Sequence, residues 1–301
     1  MHTFKSIAVI AKASPAQVGD GFFIRRAMPG GGVGLGELSP FLVLDHAGPT
    51  PFAPSNQPKG VDEHPHRGFE TVTIVYQGEL EHRDSAGNSG RIGVGDVQWM
   101  TAASGLVHEE KHSKAFTQQG GTLEIIQLWV NLPAAHKMIA PRYQEILASD
   151  IPAVPIGAGH SFVRVIAGEF QVSERSRTNE RKKGPAKTFT PLDVLDVRLV
   201  AGESLNLTLR EGDNTAVYAL KGKVRVNDSD TVSEAEIARF DQTGDAIKLE
   251  ALEDTTLLVL SGTPINEPIA SYGPFVMNTS EEIRQAIQDY HTGKMGVLEA
   301  G

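Results

Sequence analysis

Two short stretches of this chain carry residue types that could hold a metal ion. The first is HPHRGFETVTIVYQG, beginning at His64; the second is GDVQWMTAASGLVHEE, ending at Glu110. In an extended chain successive side chains point to opposite faces, so His64 and His66 project the same way. Two imidazoles on one strand can then hold one ion side by side. His108 and Glu110 repeat the two-residue spacing, so a second strand can offer an imidazole and a carboxylate to the same interior. Glu70 shares the parity of His64 and His66, and the pattern leaves Glu70 and Glu110 as alternatives. Such a set suits a borderline divalent ion such as iron, manganese, nickel, copper or zinc, with positions left open for water, oxygen or a substrate oxygen. An HxH pair alone is a weak signal. The second His-x-Glu raises it, as do Gly60, Gly78, Gly95 and Gly105, which bracket both pairs as turns.

The elements that must position these residues read as strands. Phe69 to Tyr76 is rich in Thr, Val and Ile, and Gln77-Gly78 turns it into Glu79 to Arg83. The turn DSAGNSG leads to a strand pair around Val94 to Met100 and Leu106 to His108, and Thr122 to Leu132 is a further strand, expected to be buried on both faces. Pro133, Pro141, Pro152 and Pro155 then punctuate a connection with a short helical possibility near 142–148, which is the best boundary between domains. Leu205, Leu207 and Leu209 alternate with polar residues, and Val217 to Val226 around Gly222 echoes the strand–turn–strand at Gly78. Setting Gly78 against Gly222 places Thr208, Arg210 and Asn214 opposite His64, His66 and Glu70. The second half thus predicts a repeat of the first without its metal ligands. One helix is expected: Thr279 and Glu282 form a capping box, Ile283, Ala286, Ile287 and Tyr290 follow at helical spacing, and Gly293 ends it.

Composition narrows the chemistry. The 301 residues suffice for two domains, and 31 glycines, above the average of roughly 7%, suit many strands and tight turns. The absence of cysteine removes disulfides, thiolate metal sites, iron–sulfur clusters and cysteine nucleophiles, leaving imidazole and carboxylate as ligands. A net charge of −9 argues against nucleic acid as a partner. The basic run from Arg175 through Arg177, Arg181, Lys182 and Lys183 to Lys187 reads as a solvated loop, with an acidic partner as its functional alternative. The start, MHTFKSIAVIAKASP, is a poor signal peptide, and no apolar run approaches the roughly 18 residues of a membrane span, so a cytoplasmic protein is expected.

Five phrases together resemble the pirin family of the cupin superfamily: FLVLDHAGP at 41–49, HPHRGFETVT at 64–73, GDVQWMTAASGLVHEE at 95–110, IQLWVNLP at 126–133 and GPFVMNT at 273–279. The resemblance implies an all-β bicupin: two tandem jelly-roll barrels facing each other, with a short C-terminal helix. Residues 1–140 would form the metal-binding barrel, 141–278 a barrel without metal, and 279–301 the helix and tail. It also selects among the ligands, implying His64, His66, His108 and Glu110 around Fe(II), with Glu70 buried and hydrogen-bonded nearby. Some pirins resemble quercetinases, so the implied activity is cleavage of flavonols such as quercetin with molecular oxygen. In that chemistry the metal lowers the pKa of a flavonol hydroxyl, a dry barrel orients the ring, and Glu110 is the candidate general base. Trp99 and Met100 are read as barrel core, with pocket lining as the alternative, and Asp45, beside Phe41 and His46, as a carboxylate that could orient a ligand imidazole. The competing expectation is a metal-dependent, redox-responsive regulator acting through a protein partner, with the 175–187 run as its first contact surface.

Overall fold

The computed structural model describes residues 2–20, 22–157, 159–171 and 181–298. Alternating apolar residues and frequent glycine turns give antiparallel strands, and the only α-helices among the described residues are Lys114–Gln119 and Ser280–His291. None is long and apolar enough to cross a membrane. The chain divides into two compact units: residues 15–26, 41–148 and 265–301 form one, and residues 1–14, 27–40 and 149–264 the other. Each is built on a seven-stranded and a four-stranded antiparallel sheet, the two-sheet plan of a cupin barrel.

In the histidine-bearing unit the larger sheet runs in the order Arg142–Ile146, Val97–Thr101, Phe69–Gln77, Gly121–Asn131, Phe41–Phe52, Phe22–Met28 and Ser14–Val18. The smaller runs Gly60–His66, Leu106–His112, Leu80–Asp84 and Ser89–Ile92. The expected helical segment near 142–148 is instead a strand: Arg142–Ile146 pairs along Val97–Thr101, and tertiary pairing outweighs local helix preference. Gly121–Asn131, where burial on both faces was expected, is mostly buried but leaves Thr122, Glu124, Gln127 and Trp129 half-buried. Gly68 turns the chain between Gly60–His66 and Phe69–Gln77. Its φ is +91°, and a Cβ there would stand 1.9 Å from the Val276 carbonyl oxygen, so only glycine fits this corner.

The C-terminal helix carries the expected capping box: Glu282 N–H donates to Thr279 Oγ1 at 3.2 Å, and Thr279 N–H donates to Glu282 Oε2 at 2.8 Å. Its apolar face, Ile283 and Ala286, packs with Val107, Phe275 and Met277. Val107 lies on the opposite face of its strand from His108, so the helix backs a strand that bears a candidate ligand. Arg67, next to His66, donates to Asp289 on the helix at 2.9 Å.

In the other unit the period-two reading of 204–208 holds, with Leu205 and Leu207 buried between exposed neighbours. Its interior is apolar, including Val163, Val197, Leu207, Val217, Ile247 and Val259. Residues 1–14 and 27–40, expected in the first domain, belong to this unit, and Ile7–Lys12 is the edge strand along Glu236–Phe240. Of the basic run, Arg175 and Arg177 lie outside the described residues. Arg181–Lys183 forms a short strand against Glu169–Gln171, with Arg181 3.5 Å from Glu169.

Candidate metal centre

The antiparallel register of Leu106–His112 on Gly60–His66 sets His108 opposite His64 and Leu106 opposite His66. Side chains of one parity share a face, so the three imidazoles converge. Their ring centroids are 4.7 Å apart for His64–His66, 4.3 Å for His64–His108 and 4.9 Å for His66–His108. One ring nitrogen of each lies within 4.8 Å of the others.

The hydrogen bonds select which nitrogen is available. His64 Nδ1 lies 2.7 Å from the Asp62 carbonyl and His66 Nδ1 3.3 Å from the Pro274 carbonyl. A carbonyl only accepts, so Nδ1 carries the proton in both rings and Nε2 keeps its lone pair. His108 Nε2 is buried and has no hydrogen-bond partner among the described residues, a bare nitrogen lone pair of the kind a divalent ion would engage. Burial first, then the neighbouring His64, holds His66 and His108 well below the usual histidine pKa, so both are neutral at pH 7, the form that ligates.

The two candidate glutamates fall in different places. Glu110 is buried on the His108 strand, and its Oε1 accepts from Thr73 Oγ1 at 2.9 Å and Gln98 Nε2 at 3.1 Å. Oε2 takes no hydrogen bond among the described residues. Glu110 groups with His108 and with His82, an inward-facing histidine not singled out from the sequence. The signal for His82 was present in LEHRD, whose alternation puts Leu80, His82 and Asp84 on one face, but which strand that face meets is a matter of register.

Glu70 stands apart from both groups, 1% exposed, accepting from Thr101 Oγ1 at 2.7 Å with Arg142 Nη2 3.8 Å away. Burial pushes its carboxyl from 4.5 up to about 7. Folded protein therefore keeps a proton at pH values where the unfolded chain has lost it. The stability Glu70 contributes is full below pH 4.5 and is lost as pH rises through 7. Glu70→Gln removes that fall. At pH 8 the variant is expected to be more stable than wild type by on the order of 3 kcal/mol, with little difference at pH 4.5. Urea titrations followed by tryptophan fluorescence check this, since Trp99 and Trp129 are the only tryptophans and both lie in this unit. A gap that does not change with pH would refute it.

A cavity of about 420 Å³ opens beside the imidazoles. His64, His66 and Glu110 reach it; Phe22, Ile24, Ile125 and Trp129 give it apolar walls, and Arg26, Asp45 and Gln127 supply polar atoms. Trp99 and Met100 are fully buried core residues, as expected, and do not line it. The reading of Asp45 as an orienting carboxylate is corrected. Both of its oxygens are taken by Arg26, at 2.8 Å from Nε and 2.6 Å from Nη2, and it reaches no candidate ligand ring. His46 is likewise engaged elsewhere, with Glu124 Oε1 at 3.1 Å.

The family model described as pirin matches residues 22–130, and that described as the pirin C-terminal cupin domain matches residues 194–296. This chain belongs to the pirin family. A Pseudomonas aeruginosa relative named "Putative quercetin 2,3-dioxygenase" is 51% identical over 290 residues, spanning 96% of this chain and 98% of its own. Mouse pirin is 34% identical over 301 residues, spanning 98% and 96%. The crystal structure of quercetin 2,3-dioxygenase from Acinetobacter baumannii superposes with a TM-score of 0.91 at 46% identity, covering 99% of this chain and 100% of that one. In this pirin the 22–130 match contains His64, His66, His82, His108 and Glu110, whereas the C-terminal match contains a single histidine, His291, at the end of the helix.

Proposed function

We propose that this pirin is a dioxygenase in which His64, His66, His108 and Glu110 hold one divalent transition metal, Fe(II) foremost, and flavonols such as quercetin are cleaved with molecular oxygen. The observation that carries the reading is the set of three imidazoles, donor nitrogens within 4.8 Å of one another, two of which, His64 and His66, reach an apolar cavity together with Glu110. The 51% identity to the Pseudomonas relative and the fold shared with the Acinetobacter dioxygenase support it.

When bound, the metal supplies Lewis acidity that favours a flavonol hydroxyl as its anion. The chain does the rest. Phe22, Ile24, Ile125 and Trp129 offer flat apolar surface to a planar ring system, and about 420 Å³ lies within the range of small-molecule pockets. These walls exclude water and fix the ring in one orientation, which lowers the entropic part of the barrier. Thr73 and Gln98 hold Glu110 Oε1, leaving Oε2 to ligate or to take the hydroxyl proton.

Aerobic incubation of the iron-loaded protein with quercetin is expected to bleach the flavonol absorbance with equimolar release of carbon monoxide. Absence of turnover with iron, manganese, nickel, copper and zinc alike would overturn the proposal. Glu110→Gln, assayed with its metal content verified, is expected to lower kcat by about 100-fold. An unchanged kcat with metal retained would remove the base role and leave Glu110 as a ligand only.

A further inference from the structure

His64 and His66 are held by backbone carbonyls, but among the described residues no carbonyl is hydrogen-bonded to the His108 ring. The atom that faces its Nδ1 is Nδ1 of His82, at 3.4 Å. Two adjacent imidazole nitrogens can share a hydrogen bond only if one carries the proton and the other the lone pair, and the surroundings decide which.

Gln98 settles the orientation. The Tyr143 hydroxyl donates to its Oε1 at 3.4 Å, and its Nε2 donates to the Glu110 carboxylate at 3.1 Å, so the amide nitrogen is the end that points at His82 Nδ1, 3.3 Å away. His82 Nδ1 is therefore the acceptor, for Gln98 and for His108 Nδ1–H alike. The proton of His82 then sits on Nε2, a buried atom that makes no hydrogen bond among the described residues but has the Asp84 carboxylate as its charged neighbour, Oδ2 at 3.5 Å. Asp84 is itself anchored: its Oδ1 accepts from the backbone N–H groups of Ala86 at 2.9 Å and Asn88 at 3.0 Å. The His82 ring is stacked on Tyr143, centroids 5.1 Å apart and planes 11° from parallel, so its aim at His108 is fixed by packing as well. The His108–His82 hydrogen bond leaves the His108 lone pair on Nε2, a buried nitrogen with no hydrogen-bond partner among the described residues.

We infer that His82 is a positioning residue for the metal: it accepts a hydrogen bond from His108 Nδ1–H, selects the Nε2-ligating tautomer and, with the Asp84 carboxylate near its far side, makes that ligand more electron-donating. This rests on the reading of His108 as a metal ligand and not on the identity of the substrate. It assigns to a histidine outside the four proposed ligands the work that the Asp62 and Pro274 carbonyls do for His64 and His66.

The test compares wild type, His82→Phe and His82→Gln, using Co(II) as probe. Affinity is read by equilibrium dialysis, site geometry by the visible d–d bands, and folding by thermal unfolding of the metal-free proteins. Phenylalanine keeps the stack on Tyr143 and removes the acceptor. It is expected to weaken Co(II) binding about 10–100-fold and to shift the d–d bands, with the metal-free unfolding temperature near wild type. Glutamine restores an acceptor oxygen and is expected to recover most of the affinity and the wild-type bands. Wild-type affinity and spectrum in His82→Phe would overturn the inference, and so would equal losses in both variants. If wild type itself binds no Co(II), the metal reading of the barrel falls, and this inference with it.

Discussion

Replacing His64 with alanine is expected to lower the affinity for a divalent transition metal by about 1000-fold while leaving the metal-free fold intact. His64 is the half-buried member of the imidazole set, so its truncation leaves little cavity in the core. The loss should exceed the roughly 10–100-fold typical of residues that only orient a ligand, because one donor disappears outright. Linkage gives a second, independent readout. A metal held at 1000 times its Kd stabilises the folded state by about 4 kcal/mol, and a 1000-fold weaker site gives back nearly all of it. Anaerobic dialysis with Fe(II), paired with melting curves with and without metal, would show both effects. Wild-type metal content in His64→Ala would remove His64 from the ligand set.

Lys137→Met is expected to destabilise the metal-free barrel by about 3–5 kcal/mol, although Lys137 touches none of the proposed ligands. Its ammonium, 1% exposed, donates to the Gly68 carbonyl at 2.7 Å, Asn131 Oδ1 at 2.6 Å and the Val276 carbonyl at 3.0 Å. Burial pulls its pKa down to about 8, so it remains largely charged at neutral pH. Methionine has a similar length but no donor, and would leave three oxygens unpaired in a dry interior. Gly68 is the corner immediately after His66 and Arg67, so the same loss loosens the end of the strand that carries the histidine pair. The urea midpoint followed by tryptophan fluorescence measures the change, since both tryptophans report on this unit. A shift worth less than about 1 kcal/mol would mean that water or repacking satisfies those oxygens.

Much of the candidate site is legible because strand parity is a local property. His64 and His66 share a face whatever their strand pairs with, and so do His108 and Glu110. The same reasoning exposes the all-β character, the apolar alternation at Leu205 and Leu207, and the helix beginning at Thr279. It fails where the deciding partner is distant in sequence. Arg142–Ile146 reads as a possible helix because its strand identity comes from Val97–Thr101, and Asp45 reads as an orienting group because Arg26 is invisible beside it.

Taken alone, the sequence determined which residues could ligate, on which strands and with which shared faces, since residue chemistry and a two-residue period need no tertiary information. The resemblance to pirins added the preference for Glu110 over Glu70. Only the tertiary structure decided how those faces meet. It set His108 opposite His64 and Glu110 opposite His82, and placed Glu70 under Thr101. It also joined residues 1–14 and 27–40 to the second barrel. The physical reason is register: cross-strand pairing is fixed by hydrogen bonds between segments far apart in the chain, and a shift of one residue would turn each of these side chains to the other face.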